Sequence, residues 1–124
     1  MIQALVVDDS AVIRKVARRI FEGLQFETAE AEDGTKALGA CAFLMPDVIM
    51  VDWNMPGIDG FAFIRALRKL PGGDKPRVLL CTSERDVAQI ARGIHAGANE
   101  FIMKPFDRAL LTGKMENLGL VARH

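Results

Sequence analysis

Apolar residues fall along this chain in two alternating rhythms. Short continuous runs at residues 4–7, 48–51, 78–81 and 101–103 are rich in Val, Ile and Leu. Such runs read as strands covered on both faces, as in a parallel sheet. Between them, apolar residues recur three and four positions apart, the spacing of one helix face. Val12, Ile13, Val16, Ala17, Ile20, Phe21 and Leu24 predict a first helix, and Ala37, Leu38, Cys41, Ala42 and Met45 a second. Phe61, Ile64, Leu67 and Leu70 predict a third with these residues turned inward. Val87, Ile90, Ala91 and Ile94 fit a fourth, and Leu111, Met115, Leu118 and Ala122 a fifth.

One further segment, 26–31, alternates apolar and polar residues with Glu27 and Glu30 interrupting it, which suits an edge strand. Start and stop signals agree with this division. Ser10, Asp59 and Asp107 stand where helix N-caps are needed. Asp33-Gly34 closes the second strand, Pro46 stops the second helix, residues 71–74 form a loop, and Gly97 ends the fourth helix. Five strand–helix alternations predict an α/β fold with a parallel five-stranded sheet and helices on both faces. Residues 1–124 form one domain, with no linker, repeat or separate output domain expected.

Composition narrows the function classes. Sixteen basic and sixteen acidic residues cancel, so sequence-independent nucleic-acid binding, which needs clustered cations, is not expected. No run approaches the roughly 18 apolar residues of a membrane span. Met1-Ile2-Gln3 lacks the basic flank and cleavage site of an export signal, so a cytoplasmic protein is expected. Cys41 and Cys81 lie in apolar contexts without metal-ligand spacing and read as free core thiols in a reducing compartment. Arg14, Lys15, Arg18 and Arg19 share the other side of the first helix, read as a solvated face.

The chemistry lies where the strands end. Asp8-Asp9 follows the first strand, Asp52 the third, Thr82 the fourth and Lys104 the fifth. In a parallel sheet all strand C-termini share one edge, where open α/β sheets bind ligands, so these distant residues converge. Two carboxylates about 4 Å apart repel by about 4 kcal/mol at an effective dielectric of about 20. A cation among them relieves this, and Mg²⁺ suits oxygen ligands while keeping positions open for water and phosphate. A carboxylate nucleophile, a metal, a lysine and a hydroxyl are the parts of a phosphoryl-transfer site. Singly each has an ordinary explanation: a helix cap, a strand-end hydroxyl, a surface lysine. Their joint placement is what carries weight.

These residues are similar to those of response-regulator receiver domains of the single-domain, CheY-like type, over residues 5–118. The resemblance is carried by Val6-Val7-Asp8-Asp9-Ser10, Asp52-Trp53-Asn54-Met55-Pro56, Asp59-Gly60, Thr82, Gly97-Ala98 and Lys104-Pro105-Phe106. It implies a flavodoxin-like (βα)5 fold with strand order 2-1-3-4-5, and Asp52 as acceptor of a phosphoryl group from a sensor histidine kinase. It implies Mg²⁺ bound by Asp9, Asp52 and the Asn54 carbonyl, with Asp8 acting through metal-bound water. Lys104 and Thr82 would bind the phosphoryl group, Phe101 would turn inward as Thr82 moves, and Lys104-Pro105 would be cis. Asn54 and Glu84 match positions that tune phosphoryl lifetime, implying quick hydrolysis. Phe101 lacks the hydroxyl found in the chemotaxis example.

The resemblance implies a two-component signalling switch rather than an enzyme acting on outside substrates. Its readout would be the fourth helix, fifth strand and fifth helix, roughly residues 86–122, against a downstream protein. His95 would belong to that face, and the chain would be a monomer or weak dimer. Chemotaxis is the leading pathway; a phosphorelay shuttle and a docking module without chemistry are the alternatives within the fold. An aspartate-nucleophile phosphatase of the haloacid-dehalogenase type would need an aspartate two residues after Asp8, where Ser10 stands. A flavin carrier would need a phosphate loop where Asp8-Asp9 would repel it.

Overall fold

The computed structural model describes residues 1–83 and 87–123. Five strands and five helices alternate: β1 (Gln3–Val7), α1 (Ala11–Gly23), β2 (Glu27–Ala31), α2 (Gly34–Phe43), β3 (Val48–Asp52), α3 (Gly60–Arg68), β4 (Arg77–Thr82), α4 (Val87–Ala96), β5 (Glu100–Met103) and α5 (Arg108–Asn117). The strands form one parallel sheet in the order β2-β1-β3-β4-β5, the expected order. The order puts the half-polar strand, β2, at an edge, where only Ala31 is buried. Every residue of the central β3 is buried.

Alternation along the strands sorts their side chains into two cores. Ala4, Val6, Val48, Met50, Leu79, Cys81 and Ile102 pack with Ala17, Ile20 and Phe21 of α1 and Leu111 and Met115 of α5. On the other face Leu5, Val7, Ile49, Val51, Val78 and Leu80 pack with Ala37 and Cys41 of α2 and Phe63, Ile64 and Leu67 of α3.

The expected caps hold. The side chains of Ser10, Asp59 and Asp107 accept from the backbone N–H groups of Ile13, Ala62 and Leu110. Asp33, read as the close of a strand, also caps α2 by accepting from the Lys36 N–H. Gly97 ends α4 at φ 127°, with its N–H on the Ile94 carbonyl and that of Ala98 on Gly93.

Several expectations need correction. Val12 and Val16, expected on the apolar face of α1, are 71% and 41% exposed, and Ala42 of α2 is exposed. Phe63, missed by the spacing, is the fully buried aromatic of α3, while Phe61 is half-buried and packs against the edge of that core. Met45 lies beyond α2, whose last helical residue is Phe43. α5 stops at Asn117 because Gly119 takes φ 75° and the Leu120 N–H bonds back to the Met115 carbonyl, leaving Ala122 outside the helix and exposed. The apolar positions of α4 do not make a buried stripe. Only Gly93 of that helix is buried, while Val87 is 79% and Ile94 42% exposed. α4 crosses β4 through its glycine: a Cβ there would lie 2.3 Å from Leu80 Cδ2.

Candidate functional site

The strand order brings the C-termini of β1, β3, β4 and β5 side by side. Val7 pairs with Val51, Asp52 with Cys81, and Thr82 with Met103. Asp8, Asp52, Thr82 and Lys104 therefore end adjacent strands at one edge. Gly60 keeps the entry to α3 tight against this edge. A Cβ at that position would come within 2.7 Å of the Asp52 carbonyl oxygen, and only hydrogen fits there.

Carboxylate oxygens of Asp8, Asp9 and Asp52 lie within 4.8 Å of one another. Asp8 and Asp52 are buried and Asp9 is exposed, so the cluster opens to solvent on one side. Lys104 supplies the counter-charge, with Nζ 2.9 Å from Asp8 Oδ2 and 3.4 Å from Asp52 Oδ2. The Ser10 N–H donates to Asp8 Oδ1 at 2.9 Å, so both Asp8 oxygens already face donors. The Lys104–Pro105 peptide is cis, as expected.

Burial, then the neighbouring Asp8 charge, pushes the Asp52 carboxyl above its ordinary value, partly offset by Lys104 and the Asn54 N–H. Burial works to lower the Lys104 ammonium, but its hydrogen bond to Asp8 and the two carboxylate charges outweigh that and raise it. Three carboxylates against one ammonium leave a net negative charge of two among hard oxygen donors. A divalent cation with a preference for oxygen would cancel it, and the donor set fits Mg²⁺.

The remaining expected residues stand as follows. Thr82 is buried, and its hydroxyl donates to Gln89 Oε1 of α4 at 3.3 Å. Its carbonyl accepts the Lys104 N–H. Asn54 is exposed just beyond β3. Phe101 is half-buried on β5 with Lys114 Nζ 4.8 Å from its ring centre. Glu84, with Asp86, falls outside the described residues. Cys41 and Cys81 are free, buried thiols pushed up by burial, to about 11 and about 12. His95 is exposed as expected, but lines the groove between α3 and α4.

The pattern of charges along α1 concealed one contributor. Arg14, expected on a solvated face, is 14% exposed. Its Nη1 donates to the Asp8 carbonyl at 2.8 Å, and its Nε donates to Glu30 Oε1 at 2.8 Å. It thus ties the loop bearing the two aspartates to the edge strand β2. The available signal was its six-residue distance from Asp8: Arg14 sits in the first turn and a half of α1, within reach of the strand end. Arg18 pairs with Glu30 and Glu22 and braces the same carboxylate.

The chain matches the response regulator receiver domain family over residues 4–116. It is 36% identical to the chemotaxis protein CheY of Pseudomonas aeruginosa over 92% of this chain and 93% of that protein. It is 39% identical to the DNA-binding response regulator MtrA of Mycobacterium tuberculosis over 82% of this chain but only 43% of that longer protein. Among solved structures, the Vibrio cholerae chemotaxis protein CheY4 superimposes with a TM-score of 0.90 at 31% identity, covering 94% of this chain and 98% of that one. With its aspartate cluster, lysine and threonine on the edge of a 2-1-3-4-5 sheet, the chain belongs to the response regulator receiver domain family.

Proposed function

We propose that the chain is a phosphorylation-activated switch of a two-component system that accepts a phosphoryl group on Asp52 from a phosphohistidine of a sensor kinase. The observation that carries this is the Asp8–Asp9–Asp52 cluster closed on one side by Lys104. An Asp52 oxygen forms the new O–P bond as the P–N bond to the kinase imidazole breaks, its electron pair returning to that nitrogen. Asp9, Asp52 and the Asn54 carbonyl would hold Mg²⁺, with Asp8 acting through water, in keeping with donors already facing both its oxygens. When bound, Mg²⁺ supplies positive charge to the phosphoryl oxygens. Lys104, released in part from Asp52, binds one phosphoryl oxygen as a point charge. By the resemblance to the family, Asn54 and Glu84 would tune phosphoryl lifetime toward quick hydrolysis.

The switch runs through Thr82. Its hydroxyl is held toward Gln89 on α4, so drawing it to a phosphoryl oxygen changes what α4 packs against. Only such a differential contact shifts a population between two states. Phe101 on β5 follows the vacated space, and the exposed flank of α4, β5 and α5 presents the result to a downstream protein. The chain acts on no outside substrate. It works in the cytoplasm as a monomer or weak dimer. Its similarity to chemotaxis proteins makes chemotaxis the first pathway to test, ahead of a phosphorelay. Affinity capture with and without beryllofluoride, a phosphoryl mimic, identifies the state-dependent partner.

Acetyl phosphate with Mg²⁺ should label the chain once, and Asp52→Asn should abolish labelling. Labelling that persists at the same rate in the variant, or that survives chelation of Mg²⁺, would overturn the assignment. An inert docking module would also show no change in Trp53 emission at saturating Mg²⁺.

A further inference from the structure

The groove between α3 and α4 gathers five basic side chains, Arg65 and Arg68 of α3, Lys69 at its C-cap, and Arg92 and His95 of α4. Neither helix carries a carboxylate within its bounds. Arg68 is consumed structurally: its guanidinium donates to the carbonyls of Gly73, Pro76 and Gly97. The other four are exposed. Among the described residues, none of those four side chains is hydrogen-bonded or ion-paired to another group. Instead, the guanidinium carbons of Arg92 and Arg65 stand 4.5 and 5.7 Å from the centre of the Phe61 ring. This stacking holds the two groups in place over an aromatic surface while leaving their N–H donors free. The cavity beneath is about 430 Å³. On α1, by contrast, Arg14 and Arg18 are neutralised by Glu22 and Glu30.

We infer that this groove is a second docking surface, for an acidic, carboxylate-bearing segment of a partner protein. Arg65 and Lys69 are four residues apart on one wall, and Arg92 and His95 three apart on the other, so basic side chains repeat at about one helical turn, 5–6 Å, on both sides. That array matches several separate anionic groups along a peptide better than one compact phosphate. The trough is open and rimmed by charge, unlike the enclosed, mainly apolar sites that hold small molecules. Phe61 offers an apolar floor for a neighbouring side chain. The surface lies on the α3 side of α4 and is separate from the flank toward β5, so the inference stands whether or not Asp52 is a phosphoacceptor. Trp53 beneath it, 6.2 Å from Phe61 ring to ring, provides a local probe.

The test titrates the full chain with a glutamate decapeptide, a glutamine decapeptide and inorganic pyrophosphate, following Trp53 emission and backbone amide shifts. The glutamate peptide should bind, move amides of α3 and α4, and weaken as salt is raised past about 0.1 M. Arg65→Gln with Arg92→Gln should weaken it about tenfold. Lys15→Gln with Arg19→Gln on α1 should leave it unchanged. No binding of the glutamate peptide, equal binding of the glutamine peptide, or equal loss from the α1 variant would overturn the proposal. Pyrophosphate binding as tight as the decapeptide at the same residues would overturn it in favour of a phosphate site. Thermal melts of both variants confirm that the fold is kept.

Discussion

Helices α1 and α4 carry the same kind of apolar spacing and meet opposite fates. α1 leaves Val12 and Val16 exposed but buries Ala17, Ile20 and Phe21 against β1 and α5, and Phe21 stacks on Phe26 with ring centres 5.7 Å apart. α4 buries only Gly93 and leaves Val87 and Ile94 in solvent, Val87 lining a cavity of about 350 Å³ with Ile90, Phe101 and Met103. Packing a helix by its glycine brings its backbone close to the sheet but gains little apolar burial, roughly 25 cal/mol for each Å² that is covered. An element held so lightly opens at low free energy. α1 is therefore the fixed wall of the aspartate loop, and α4 the element that the proposed switch through Thr82 would bias.

The contrast is broken most directly at its heaviest contact. Phe21→Ala should cost about 3–5 kcal/mol in denaturant unfolding, as for other buried aromatics. A loss below about 1 kcal/mol would mean that α1 is no better anchored than α4. Gly93→Ala tests the other side. Alanine favours a helix interior by up to about 1 kcal/mol over glycine, yet its Cβ would lie 2.3 Å from Leu80 Cδ2. Leu80 is fully buried and has little room to turn, so a net loss of about 1–2 kcal/mol is expected, with a shift in Trp53 emission as α4 lifts. A stabilised variant with unchanged emission would show that α4 does not rest on its glycine.

The same two helices mark how far the sequence could be read. Strand identity, strand ends and caps were legible because continuous apolar runs and Asp or Ser at helix starts have local causes. The convergence of Asp8, Asp52, Thr82 and Lys104 followed from parallel topology alone. Periodicity could not say which way the apolar residues of α4 would face, because an exposed stripe and a buried one have the same spacing. Nor could it separate Arg14 from Arg18 and Lys15, since partnership with the Asp8 carbonyl depends on where β2 lies. Phe63 escaped notice for a similar reason: the direction of α3 is fixed by the tight approach of Gly60 to Asp52, a tertiary constraint.

Arg14 and Arg18 hold the Glu30 carboxyl below the usual range, which gives the anchoring of α1 a pH signature. A depressed carboxylate contributes stability above its unfolded value, about 4.3, and loses it as pH falls through the folded value. Glu30→Gln should therefore be less stable than the parent at pH 7, and the difference should close under acid. Glu30 is about a third exposed, with a side-chain value of 35%, so screening limits the effect to about 1 kcal/mol or less. A gap that stays constant between about pH 7 and pH 3 would mean that the ion pairs do not brace the loop.

The smallest stability effect is expected at Val87. Its side chain is 79% exposed, so Val87→Ser removes little burial and should shift unfolding by no more than about 0.5 kcal/mol. Labelling of Asp52 by acetyl phosphate should be unaffected, since Val87 is no part of the aspartate cluster. What should fall is capture of the beryllofluoride-dependent partner, because an exposed valine beside an apolar cavity is worth more in a complex than in the free chain. Unchanged capture would place the readout elsewhere on the molecule. A large loss of stability would mean that α4 is anchored along its apolar flank, and its difference from α1 would vanish.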